Sequence, residues 1–174
     1  MRKYLKYALG LAVIPATLLI ANTVTATGEG QIEGGNIYRI KNITKNSDFV
    51  DPAKADACDE LMYRARIHNP GPGALTSVTV KATLPSGSAI RHTSTFTATA
   101  SNAMPASTSD SAAVDLSTAQ SIAYINGSTQ LLDANGNFLK TLPDGITAGG
   151  SGVNIGNVGV SINEKRFVQF KVKV

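Results

Sequence analysis

Hydrophobic and polar positions alternate with period two through residues 61–67, and again through residues 78–84. Leu61, Tyr63, Ala65 and Ile67 interleave with Met62, Arg64, Arg66 and His68, giving one apolar face and one mostly charged face. Such alternation predicts a half-buried β-strand, because successive side chains of an extended chain point to opposite faces. Asn69-Pro70-Gly71-Pro72-Gly73 follows. Proline fixes φ and lacks an N–H, while glycine admits positive φ, so the chain must turn there. Val78, Val80, Ala82 and Leu84 then alternate with Thr79, Lys81 and Thr83, and Pro85 ends the second strand. The pair predicts either a β-hairpin or a turn between the two layers of a sandwich.

Similar patterns recur along the chain. Residues 37–43 predict a first strand. Residues 90–100, IRHTSTFTATA, predict a long Thr-rich strand with one polar face, lying at a sheet edge. Residues 101–113, SNAMPASTSDSAA, predict a variable loop at one end of the fold, where binding sites are commonly built. Ile122, Tyr124, Leu131 and Leu132 flank Asn126-Gly127-Ser128, and Phe138 and Leu142 flank turns at Asn135-Gly136 and Asp144-Gly145, which reads as a series of hairpins. Gly149-Gly150-Ser151-Gly152 has no phosphate-loop spacing and reads as a connection into a strand over residues 153–158. The last strand, residues 166–174, sets Val168, Phe170, Val172 and Val174 against Phe167, Gln169, Lys171 and Lys173. No convincing amphipathic helix interrupts the series. The expected fold class is all-β, an antiparallel β-sandwich of about eight or nine strands.

Residues 1–26 read as a signal peptide. Arg2, Lys3 and Lys6 are followed by an apolar run over residues 8–21, and Val24-Thr25-Ala26 offers small residues for cleavage before Thr27. The run falls short of the roughly 20 residues that span a bilayer, and retention as a membrane anchor is the alternative. Residues 27–35, TGEGQIEGG, read as a glycine-rich linker and residues 36–174 as one domain. Export changes the charge balance. The whole chain carries a formal +4, but beyond residue 26 thirteen Lys and Arg face twelve Asp and Glu. That near-neutral remainder lacks the basic excess that points to nucleic acid.

Tyr63, Ile67 and Asn69-Pro70-Gly71, the Val78-Thr79-Val80 strand and the Thr83-Leu84-Pro85 stop together resemble the domain-of-unknown-function eleven family. The resemblance resumes at Ile155-Gly156-Asn157-Val158 and Val172-Lys173-Val174, while Ala82 stands where the family usually places an Asp. It implies an Ig-like sandwich of the kind repeated in bacterial and archaeal cell-surface proteins.

Candidate chemistry is sparse. Asp48, Asp51, Asp56, Asp59 and Glu60 crowd thirteen residues (48–60). Calcium takes about six to eight oxygens, so these five are the candidate metal ligands, against a solvated loop with a helical turn near Pro52. Asp133-Ala134-Asn135-Gly136-Asn137 lacks the glycine and closing Glu of a calcium loop and reads as a turn. Cys58 has no second cysteine to pair with and reads as a small buried thiol, with pairing between chains as the alternative. His68 and His92 read as outward-facing on separate strands, and no nucleophile–base pair is recognisable, so no enzyme activity is expected. The expected function is an exported structural or adhesive module of the cell surface or envelope. Its partners would be other surface proteins, or further copies joined through a strand edge at residues 90–100 or 168–174. The alternative is a module that binds protein or glycan through loops 69–73 and 101–113.

Overall fold

A computed structural model describes residues 29–147 and 151–174. The predicted signal peptide, Thr27, Gly28 and Gly149-Gly150 lie outside the described residues. The fold is an all-β sandwich. One sheet has the order β1 (Tyr38–Asn42), β3 (Glu60–Ile67), β11 (Arg166–Lys173), β8 (Gln130–Leu132) and β9 (Phe138–Thr141), with β7 (Ala123–Tyr124) also on β11. The other has the order β10 (Val153–Val158), β4 (Leu75–Thr83), β5 (Ala89–Thr99), β6 (Ser107–Gln120) and β2 (Ala53–Ala55). All ladders are antiparallel except the short pairing of β2 with β6. Eight of the eleven strands among the described residues have four residues or more.

Residues 68–74 join the layers. β3 belongs to one sheet and β4 to the other, so the Pro/Gly segment is the turn between layers and not a hairpin. The alternating pattern of β3 is realised residue for residue: Leu61, Tyr63, Ala65 and Ile67 are buried, and Met62, Arg64 and Arg66 face outward. Tyr38, Tyr63, Phe96 and Phe170 meet in the core, with Tyr63 stacked on Phe170 at 5.3 Å between ring centroids. Burying a large apolar side chain contributes about 1.5–3 kcal/mol, and these four lie at the junction of both sheets.

The topology corrects several expectations. β5 lies between β4 and β6, and β11 between β3 and β8, so neither is an edge. Period-two alternation assigns a strand's faces but not its neighbours. Much of the predicted loop over residues 101–113 is strand, since β6 begins at Ser107. Hydroxyl pairs hold β6 to β5, Thr95 with Ser111 at 2.9 Å and Thr97 with Ser109 at 3.0 Å, and such pairs substitute for an apolar signal. In place of a helical turn after Pro52 there is β2.

The described part of the predicted linker, residues 29–35, packs onto the sandwich. Ile32 is buried, Gly30 bridges Ala103, and the Glu33 amide donates to the His68 carbonyl. Gly71 lies so close to this segment that a Cβ would come within 2.7 Å of the Gln31 nitrogen. The Asn135-Gly136 turn does join β8 to β9, with Gly136 at φ +86° and the Asp133 carboxylate accepting from the amides of Asn135 and Asn137.

Candidate functional site

Outward positions of β1, β3 and β11 share one surface. It carries Arg39 and Lys41, then Glu60, Met62, Arg64 and Arg66, then Phe167, Gln169, Lys171 and Lys173. Six of the thirteen bases beyond residue 26 therefore gather here against one acid of the same strands, although the chain beyond residue 26 is near neutral. Register sets them in transverse rows. Arg66 lies opposite Phe167, Arg39 and Gln169 flank Arg64, and Lys41 and Lys171 flank Met62. Arg39 directly opposite Arg64 is a like-charge pair, which weakens a sheet by up to about 1 kcal/mol and contributes nothing to folding.

Phe49 turns these rows into a groove. Val50 bridges Ile40 at the outer side of β1, and the Phe49 ring lies over the Arg64 guanidinium, 4.2 Å from its carbon to the ring centroid. Phe167 stands on the other side at 5.7 Å. Asn36, Ile37, Arg39 and Arg66 complete a groove of about 230 Å³. Arg64 is fixed at its floor by two donations to the Gln169 side-chain oxygen, at 3.0 and 2.7 Å, and Gln169 in turn donates to Gln130. Burial lowers the Arg64 pKa, but from so high a starting value that the group remains a cation. Arg66 pairs with Glu33 at 3.1 Å, while its Nε is buried without a hydrogen-bond partner. Among the described residues Arg39 has neither an ion pair nor a side-chain hydrogen bond.

The five predicted calcium ligands do not converge. Asp51 accepts from the Ala113 amide, Asp56 pairs with Lys45, and Glu60 lies 3.7 Å from Lys171. Asp59 is buried and accepts from the Asn42 side chain and the Asp56 amide, both at 2.8 Å. Asp48 is exposed. Among the described residues no three His, Cys, Asp or Glu side chains form a metal-sized group. A nearby hollow of about 430 Å³ is lined by Lys45, Lys54, Asp56 and Asp115, and its charges are mostly paired, Lys45 with Asp56 and Arg91 with Asp115. Lys45, Asp59 and Asn42 are neighbours, and the Lys45 pKa is raised and the Asp59 pKa lowered. Both groups stay charged and form an ion pair at 3.2 Å.

The two predicted binding loops lie at one end of the sandwich, where Asn69 and Asn102 are taken up by neighbouring segments of the fold. Asn69 is fully buried, accepts from Gln31 and Gly71, and donates to Gly73; Asn102 accepts from Thr76 and donates to Ala74. Cys58 is exposed, not buried, in a positive-φ turn. His92 is buried and bonded to the Gln120 carbonyl, not outward-facing, and His68 faces Glu33. The groove was half visible in the chain: the polar faces of β3 and β11 were readable, but not that Arg66 and Phe167 stand side by side or that Phe49 leans over Arg64.

No protein-family model, curated protein or solved structure matches this chain.

Proposed function

We propose that this is an exported, non-enzymatic module of the cell surface or envelope that works by adhesion. Its contact surface is the outer face of the six-stranded sheet. One observation carries the reading: six cations are concentrated on one sheet face of a domain with almost no net charge. Folding gains nothing from opposing Arg39 to Arg64, whereas a surface that must attract an anionic partner gains both affinity and encounter rate. The secretory pattern of residues 1–26 supports export, and the likeness of residues 61–85 to the domain-of-unknown-function eleven family supports an Ig-like surface domain.

The test uses the full chain produced in a bacterial host, with the culture fractionated and intact cells shaved with protease. Recovery in the medium, or as a shaving-sensitive surface protein, is expected. Exported protein then binds anionic beads better than neutral ones, and Lys41→Glu with Lys171→Glu abolishes the preference. Protein held in the cytoplasm, or binding unchanged by the two reversals, overturns the proposal.

A further inference from the structure

The groove is more specific than a basic patch. Its floor is a guanidinium held in one orientation by Gln169, its walls are two phenyl rings, and the guanidinium of Arg39, without a side-chain partner among the described residues, borders it. Guanidinium forks match carboxylates in bidentate geometry, which a lysine cannot do. At about 230 Å³ the groove is smaller than the several hundred Å³ of a drug-sized pocket, so it takes one residue of a larger ligand.

Backbone groups are not on offer. The side of β1 away from β3 is engaged, Ile40 by Val50 and the amides of Ile37 and Tyr38 by Asp110. An extended peptide therefore cannot add as a strand beside the groove, and recognition must run through side chains alone. The side chains present are cationic forks, aryl faces and the amide of Asn36. They fit, in turn, a carboxylate, the C–H face of a sugar ring and its hydroxyls. Beyond the groove Lys41 and Lys171 form the next row and Lys173, with Glu60 opposite it, the one after, each step about 7 Å along the strands. The cations thus form a track for a polymer that repeats its charge.

We infer that the groove between Phe49 and Phe167 binds a carboxylated sugar residue of an acidic polysaccharide laid along β1, β3 and β11. The inference rests on the adhesive reading of this face. Titration calorimetry of the full chain tests it, with oligogalacturonate, its methyl-esterified form, polyglutamate and polyphosphate as probes. Oligogalacturonate is expected to bind and the neutral ester not to. Arg39→Gln, which removes a side chain with no ion pair or side-chain hydrogen bond among the described residues, should weaken binding about tenfold, as loss of a charged hydrogen bond does. Phe167→Leu should weaken binding while leaving its salt dependence unchanged. Equal binding of polyglutamate or polyphosphate overturns the glycan assignment and leaves the adhesive face standing. Oligogalacturonate binding that Arg39→Gln does not alter overturns the groove, and no binding of any acidic polymer overturns both.

Discussion

The hydroxyl of Tyr38 on β1 meets the hydroxyl of Ser94 on β5 at 2.8 Å, a hydrogen bond that crosses the sandwich from one sheet to the other. Both residues are buried, and among the described residues Ser94 has no other side-chain partner. Tyr38→Phe therefore strands a buried hydroxyl and is expected to cost about 1–3 kcal/mol in urea unfolding. Ser94→Ala made in addition should recover part of that loss, since removing both partners leaves nothing unsatisfied. Simple additivity of the two changes would show that the bond does not couple the sheets. Burial, only partly offset by Ser94, also raises the Tyr38 pKa well above its ordinary value, so this contact survives alkaline conditions that ionise exposed tyrosines.

Asp59 gives the fold an acid-sensitive point. Burial pushes its pKa up, but the Asp56 amide, the Asn42 side chain and Lys45 outweigh it, leaving a net depression. A carboxyl whose folded pKa is depressed contributes stability that is fully present above its unfolded value, about 3.9, and is lost as pH falls through the folded value. Denaturation midpoints should therefore fall below about pH 4, and Asp59→Asn should flatten that decline. An acid limb unchanged by the substitution would assign it to the solvent-facing carboxylates Asp56, Asp133 and Asp144, whose pKa values are also lowered.

Asn69 holds three segments together at one end of the sandwich. Asn69→Ala leaves the amides of Gln31 and Gly71 without their acceptor and should destabilise the domain by about 2–4 kcal/mol. Gly71→Val, which forces a side chain against Gln31, should instead release residues 29–33. Amide exchange at Glu33, bonded to His68, is the readout. Rapid exchange there with the sheet amides still protected is the expected pattern.

Cys58 should react stoichiometrically with a thiol reagent in the native protein without denaturant, because it is exposed in its turn. Labelling that appears only on unfolding would contradict that placement.

What the sequence conveyed depended on which forces are local. β3, β4 and β11 were readable because burial on one face imposes period two on the side chains themselves. The order of strands was not, since any half-buried strand has the same pattern at an edge or in the middle. β6 was missed: small and hydroxylated residues at 107–113 carry no apolar alternation, their stability coming from Thr95 and Thr97 across the ladder. The acidic run promised a shared site, yet folding ties Asp51 to the Ala113 amide, Asp56 and Asp59 to Lys45, and Glu60 to Lys171. For the groove, the residues were in view from the start, but their adjacency is set by the register of β1, β3 and β11 and by the placement of Phe49.

Gly30 is bound at the end of the sandwich where β3 finishes, and Val174 is bound to Asp59 and Cys58 where β3 starts. The two leave opposite poles, separated by about the 25–27 Å of an eight-residue strand. A pull applied between them runs parallel to the strands. It loads the eight-residue β3–β11 ladder in shear, so that its bonds must break together and not one after another. A domain gripping a polymer along the same axis would thus carry tension in the direction in which its sheet is mechanically strongest.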